Sequence, residues 1–191
     1  FTLINYFLIV VFVLIFHALF SYSFLLITLA KVNPLFFFTN MREAILFAFS
    51  TSSSSATMPV TLKTVEEKLG VDKSVSSFCI PLGTTINMDG TAIMQGVATV
   101  FIAQVYQVDL SMMEYLMVII TATLASIGTA GVPGVGLIML AMVLQQVGLP
   151  VEGIALIIGV DRLLDMLRTA VNVSGDATIS CIVANSENQL I

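Results

Sequence analysis

Asp161-Arg162-Leu163-Leu164-Asp165-Met166-Leu167-Arg168-Thr169-Ala170-Val171-Asn172-Val173-Ser174-Gly175-Asp176 sets charge and hydrocarbon on different faces of one helix. At about 100° per residue, Asp161, Asp165, Arg168, Thr169, Asn172 and Asp176 share a sector of about 100°. Leu163, Leu164, Leu167, Ala170, Val171 and Val173 cover most of the rest. A charge facing lipid at mid-bilayer costs about 3 kcal/mol, so five of them, Arg162 included, would cost about 15. The stripe must face protein or water. Intramembrane charge of this density marks a substrate or ion pathway.

The surrounding composition supports a membrane setting. Of 191 residues, 58% are hydrophobic and 10% charged, where a soluble domain carries about 25% charged residues. Mean hydropathy is +1.03. Long uncharged runs suit helices rather than an alternating β-barrel, so the expected class is an all-α integral membrane protein. A net charge of −5 argues against a nucleic-acid partner. Phe1 opens inside a hydrophobic run with no basic lead-in, which is expected to be an internal start rather than a signal peptide. Cys79 and Cys181 sit among apolar residues and read as free, buried thiols rather than a disulfide or metal pair.

Charge distribution orders the spans. Phe1 to Ala30 is uncharged and long enough to cross a core of about 30 Å. Within it, His17, the chain's only histidine, is expected to be packed or interfacial rather than a proton relay. Lys31 and Arg42 follow, and Lys63, Lys68 and Lys73 lie in a second polar connection. The other connections carry Asp109, Glu114 and Glu152 without a basic residue. The positive-inside rule puts the basic connections in the cytoplasm and the acidic ones outside. Met41–Leu62 then starts and ends inside, with apolar arms Ala44–Phe49 and Met58–Leu62 around a tip at 52–57. It must dip in and return. Met112–Leu149, broken by the tip Gly128–Gly136, does the same from outside. Ser74–Gln107 and Val151–Ile191 cross once each. A hairpin plus a span, twice and in opposite orientation, is the pattern of a secondary transporter that binds near the midplane.

The breaks carry the chemistry. Non-helical backbone at membrane depth is tolerated only where it is buried or lines a cavity. Serine hydroxyls and free amides at a helix N-terminus suit a carboxylate. Four glycines and Pro133 in 128–136 unwind a helix more than close packing requires,. Asn87-Met88-Asp89-Gly90-Thr91 interrupts a span, freeing carbonyls beside the only carboxylate there,. Hard oxygen donors without a His/Cys cluster fit an alkali cation rather than a transition metal.

Four stretches, Ser53-Ser54-Ser55-Ala56-Thr57-Met58-Pro59, Asn87-Met88-Asp89-Gly90-Thr91, Gly128-Thr129-Ala130-Gly131-Val132-Pro133-Gly134 and Asp165-Met166-Leu167-Arg168-Thr169-Ala170-Val171-Asn172, closely resemble the glutamate transporter family, the dicarboxylate/amino acid:cation symporters. The resemblance covers the whole chain but only the C-terminal half of a family member. Inverted repeats are a known property of that family, so the repeat is not an independent inference. What the resemblance implies is a transport domain of five segments: transmembrane helix 6 at 1–32, re-entrant hairpin 1 at 33–73, broken helix 7 at 74–107, re-entrant hairpin 2 at 108–149 and helix 8 at 150–191. It implies a homotrimer in the plasma (inner) membrane, with a cytoplasmic C-terminus and a transport domain that slides against a scaffold. The implied activity is sodium-coupled symport of aspartate or glutamate, with Na+ co-transported, no organic cofactor and no enzymatic step. By the same match Arg168 pairs with the substrate side-chain carboxylate and Asp165 with its ammonium. Ser53, Ser54, Thr91, Thr169 and Asn172 supply further polar contacts, with backbone from Ser52, Val132 and Gly136. One sodium falls among Gly83, Asn87, Asn172 and Asp176. A second falls at carbonyls of Thr85, Ser126, Ile127 and Thr129 near the Met88 sulfur, and a third at Asn87 and Asp89.

Residue chemistry agrees with those roles. Arg168 offers a carboxylate two parallel donors, and Asp165 lies three residues away on the same face. A neutral amino acid is expected to leave Arg168 buried and unpaired, and a dicarboxylate without an amine to leave Asp165 so. The chain departs from many members in lacking a second arginine before the hairpin serines or after Asp165; Ser52 and Met166 stand there. Arg162 is the candidate replacement, or else a partner for Asp161 or Asp165. Symport of dicarboxylates, cystine or neutral amino acids is the alternative, as is a channel-like anion conductance along the polar stripe. A serine hydrolase is disfavoured, since His17 lies on a different span from Ser52–Ser55.

Overall fold

The computed structural model describes residues 3–190; Phe1, Thr2 and Ile191, at the ends of the first and last expected segments, lie outside them. Helix α1 runs from Leu3 to Ala30, 28 residues. Among the described residues it is the one helix long and apolar enough to cross a membrane by composition alone. Tyr6, Val10 and Leu14 form its buried edge, at the four-residue spacing of an α-helix,. Ile4, Leu8, Phe12 and Ile15 are exposed on the other side, the outward apolar surface a bilayer would cover. The helix adopts π-helical geometry over His17–Tyr22 and Leu26–Ala30.

Two helical pairs and three further helices follow among the described residues. Helix α2 (Pro34–Thr51) is started by Asn33, whose side chain accepts from the Leu35 amide at 2.8 Å, with Pro34 in the first turn,. It ends on Ser52, a left-handed residue at φ 52°. Helix α3 (Ser54–Glu67) begins immediately, capped by Ser53. Asp72 caps α4 (Lys73–Ile86), and the Ser74 hydroxyl and amide hold its carboxyl below the usual range. Asn87 and Met88 are non-helical, and α5 (Asp89–Val105) resumes at once. A capping box of Ser111 and Glu114 opens α6 (Met112–Ile127),. After the 128–134 turn comes α7 (Val135–Gln146), then a 3₁₀ turn (Val151–Leu156) and the long α8 (Ile158–Ser186, 29 residues).

Helix α8 is the axis of the fold. It packs against α1, α2, α3, α4 and α5, while the α6/α7 pair stands on α5. Two apolar clusters flank it. One gathers Met94, Ile102, Leu140, Leu144 and Leu164; the other gathers Phe37, Met41, Ile80, Val173 and Ala177. Cys79 and Cys181 are buried and unpaired.

The element boundaries differ from the sequence reading in three places. The arms of the first pair are longer than Ala44–Phe49 and Met58–Leu62, and only Ser52 and Ser53 are unwound; Ser54 to Thr57 are helical. One capped serine is enough to restart a helix, so the serine run does not act as a loop. In 87–91 the break falls at Asn87-Met88, before the Asp-Gly step, which sits inside the first turn of α5. The span expected from residue 151 begins as 3₁₀ before α8.

Asn33→Ala removes the cap of α2 and is expected to cost about 1 kcal/mol, while Asn33→Asp, which keeps the acceptor, is expected to cost little. Thermal unfolding of the complete protein carrying each variant checks the difference.

Candidate functional site

The charged stripe of α8 closes on itself. Arg168, 1% exposed, donates through Nη1 to Asp161 at 2.8 Å and through Nη2 to Asp165 at 2.7 Å. Helical side chains lean toward the N-terminus, which lets a long arginine span both the preceding turn and the one before it. Its Nε is buried without a partner. The cation is therefore neutralised by its own helix. Arg162, by contrast, is exposed and makes no salt bridge. It does not join the buried stripe, and the expectation that it pairs with Asp161 or Asp165 is overturned: both are held by Arg168.

From Asp165 the polar contacts continue into the two turns. Its second oxygen accepts the Gly134 amide at 3.1 Å. The Gly131 carbonyl of the same turn accepts Ser53 Oγ at 2.8 Å and the Ser55 amide at 3.1 Å. The tips of the two pairs thus touch each other over α8. Beneath them lies a cavity of about 20 Å³, lined by Ser52, Ser54, Thr91, Val132, Gly136, Asp165, Thr169 and Asn172, with Met88, Thr129, Ala130 and Gly131. That volume holds a water or so. An amino acid enters only if a tip moves. The Ser52 hydroxyl is buried with no hydrogen-bond partner and faces this lining, a donor and acceptor in need of a ligand.

A second polar cluster sits behind the break in 87–88. The Asn87 side-chain amide donates to Asp176 at 2.9 Å and toward the Asn172 carbonyl at 3.4 Å. Gly83 lies so close that a β-carbon there would stand 2.5 Å from Asp176 Oδ1, so only glycine lets the α4 backbone reach the carboxylate. The Asn172 side chain joins the two regions. Its oxygen accepts the Gly90 amide at 2.8 Å, and its nitrogen donates to Thr91 Oγ1 and the Met88 sulfur, each at 3.3 Å. Asp89 accepts from His17 and Tyr22 of α1.

Of the residues singled out for substrate, all but Ser53 and Arg168 line the cavity. Ser53 lies at the tip-to-tip contact, and Arg168 sits behind Asp165. For cations, Gly83, Asn87, Asn172 and Asp176 come together. Thr129 and Met88 line the cavity, while Ile127 is exposed and the Thr85 hydroxyl turns back onto the carbonyls of Pro81 and Leu82. The pairing of Asp161 with Arg168, and the contacts of Tyr22 and Gln95, escaped the sequence reading. Gln95, fully buried, donates to the Gly136 carbonyl at 3.1 Å.

The chain resembles known proteins throughout. Residues 1–186 match the profile of the sodium:dicarboxylate symporter family. An excitatory amino acid transporter of Caenorhabditis elegans is 48% identical over 167 residues, covering 87% of this chain and 33% of that protein. Excitatory amino acid transporter 3 of Mus musculus is 52% identical over 161 residues, 84% of this chain and 31% of that protein. Excitatory amino acid transporter 1 of Rattus norvegicus is 47% identical over 170 residues, 89% and 31%. The chain spans about a third of the length of these curated relatives. They are transporters, not enzymes.

Removing Arg168 leaves two buried carboxylates uncompensated, and Arg168→Ala is expected to destabilise by about 3–5 kcal/mol. Adding Asp161→Asn relieves one of them, so the double variant is expected to be less destabilised than the sum of the singles. A double-mutant cycle on thermal unfolding of the complete protein reads the coupling.

Proposed function

Because this chain belongs to the sodium:dicarboxylate symporter family, we propose that it is the core of a secondary active transporter coupling sodium to the uptake of acidic amino acids. The α2/α3 and α6/α7 pairs act as opposed re-entrant hairpins, each with its following broken or charged helix, in an inverted repeat. They gate the cavity from the two sides of the plasma membrane, in an elevator-type exchange of access by the transport domain of a homotrimer with a cytoplasmic C-terminus. The observation that carries this reading is a carboxylate and a guanidinium, Asp165 and Arg168, held 2.7 Å apart beside a cavity closed by two touching helix-pair tips. The relatives, named as excitatory amino acid transporters, point the same way.

The closed geometry alters the basis of selectivity. Arg168 already has two carboxylates, so a neutral substrate would not leave it unpaired; Asp161 remains its counter-ion. Discrimination rests instead on exchange. Opening a tip takes the Gly134 amide from Asp165 and exposes a carboxylate oxygen to an ammonium. As Asp165 turns to the ammonium, Nη2 of Arg168 is freed for the substrate's side-chain carboxylate. A substrate with both groups satisfies both partners, and one with a single group leaves a buried charge half-paired. Sodium is co-transported cargo, with Gly83, Asn87, Asn172 and Asp176 around one ion. Carbonyls of Thr85, Ser126, Ile127 and Thr129 near Met88 serve a second, and Asn87 and Asp89 a third.

Parting the tips breaks the Ser53 and Ser55 bonds to Gly131, about 1 kcal/mol each net. Ligand and sodium must return that much on closure. Thermal stabilisation of the complete protein by aspartate, glutamate, succinate, cystine and serine, each with and without sodium, tests the reading. Aspartate or glutamate is expected to raise the melting temperature only when sodium is present, reflecting about 2.7 kcal/mol of stabilisation at a hundredfold excess over Kd, with Arg168→Ala abolishing the response. A response to succinate without one to aspartate replaces the substrate with a dicarboxylate. An equal response to serine removes the role of Arg168.

A further inference from the structure

Tyr22 is a buried phenol on α1 that no part of the transport reading has used. Its hydroxyl donates to Asp89 Oδ2, and its oxygen lies 3.1 Å from the Val171 carbonyl of α8. His17 Nε2 reaches the same Asp89 oxygen at 2.8 Å. An ionised carboxylate only accepts, so both α1 side chains act as donors. The other oxygen, Oδ1, takes the Gly90 amide at 3.0 Å.

Backbone geometry explains how one helix delivers two donors to one oxygen. Residues five apart on an α-helix point about 140° away from each other at 100° per residue. His17 and Tyr22 are five apart, and they are the first and last residues of a π-helical stretch. The wider turn closes i to i+5 and brings both onto the face that meets Asp89. Such π segments recur at functional sites. Their rings stand edge to face, centroids 4.8 Å apart, fixing each other.

Room for the phenol is also specific. A β-carbon on Gly175 would lie 2.7 Å from Tyr22 Oη and 2.6 Å from Asn87 Nδ2. The absent side chain lets a tyrosine of α1, an asparagine of the 87–88 break and the α8 backbone converge. One phenolic proton serves two neighbouring oxygens, Asp89 Oδ2 and the Val171 carbonyl. Donating to the first leaves the tyrosine and carbonyl oxygens facing each other with no hydrogen between them. Oxygen atoms outnumber protons there, as at a cation ligand set.

We propose that Tyr22 and His17 form a two-donor clamp that fixes the Asp89 carboxylate for cation capture, making Tyr22 a positioning residue for sodium. The inference rests on the sodium reading of Asp89 above. Asp89 follows directly on a non-helical break, so without the clamp its carboxylate must be ordered when the ion arrives. Preorganisation removes that cost from the binding step. The clamp therefore raises sodium affinity and does not touch the substrate cavity.

The test is the sodium concentration giving half-maximal thermal stabilisation of the complete protein, without substrate. Tyr22→Phe keeps the ring and loses the donor. It is expected to raise that midpoint at least about tenfold, the worth of one hydrogen bond to a charged group. His17→Leu is expected to do the same, and His17→Gln, which retains a donor, to recover most of the loss. Tyr6→Phe is the control, because the Tyr6 hydroxyl on the same helix has no partner; its midpoint should match the unmodified protein. A merely structural role would lower every melting temperature and leave the midpoints in place. Midpoints for Tyr22→Phe and His17→Leu equal to that of the unmodified protein overturn the clamp and leave the sodium reading standing. If the unmodified protein shows no sodium response, the sodium reading itself falls and the clamp goes with it.

Discussion

A guanidinium cannot be left alone in a low-dielectric interior, and the position of Arg168 makes that constraint govern the structure around it. An isolated buried ion costs several kcal/mol, recovered only by well-placed partners. Here the partners come from the same helix, one turn and two turns back. A helix carrying such a charge group must turn that face to protein, and α8 does, with apolar clusters on either side. Its other faces hold Ala170, Ser174, Ala177, Ser180 and Ala184, all buried. Small residues there let five neighbouring helices approach closely, which an all-leucine helix would prevent.

The closed tips follow from the same charge balance. Two carboxylates and one guanidinium leave the group net negative, and the Gly134 amide donates to the spare Asp165 oxygen. That bond draws the second tip onto α8. The Gly131 carbonyl then becomes the acceptor for the first tip, whose left-handed Ser52 and capped Ser53 aim its hydroxyl and amides across the gap. One electrostatic requirement thus runs from the core of α8 through both turns. It also explains why the cavity is small: polar groups that would hold a ligand hold each other.

Much of the architecture was legible in the sequence because hydropathy and breaks are one-dimensional signals. The 3.6-residue stripe in 161–176, the glycine turn and the interruption near Asp89 all stand in the structure. The Arg168–Asp161 pair was readable in principle, since residues seven apart share a face, but the nearer Arg162 drew the attention. Adjacent residues on a helix diverge by about 100°, and Arg162 points out. The His17 and Tyr22 contacts were not readable at all. A 3.6-residue period separates them, and nothing in their composition announces a π turn. The tip expected at 52–57 shrinks to Ser52 and Ser53: a serine run looks like a loop in sequence, although a serine cap starts a helix equally well,.

Asn172 ties these parts into one device. Its oxygen holds the first turn of α5 through Gly90, its nitrogen holds Thr91 and Met88, and its own carbonyl lies near Asn87. Thr91 and Met88 line the cavity, while Asn87 reaches Asp176 in the oxygen-rich cluster. The break in 87–88 is the only non-helical backbone between α4 and α5, so any movement there is shared by both regions. On the sodium reading proposed above, an ion drawn to Asn87 and Asp176 acts on the main-chain carbonyl of the residue whose side chain sets the Thr91 hydroxyl. On that reading, coupling between cation and ligand needs no distant signal. It needs only that one asparagine, through its carbonyl and its side chain, cannot satisfy two arrangements of its neighbours at once.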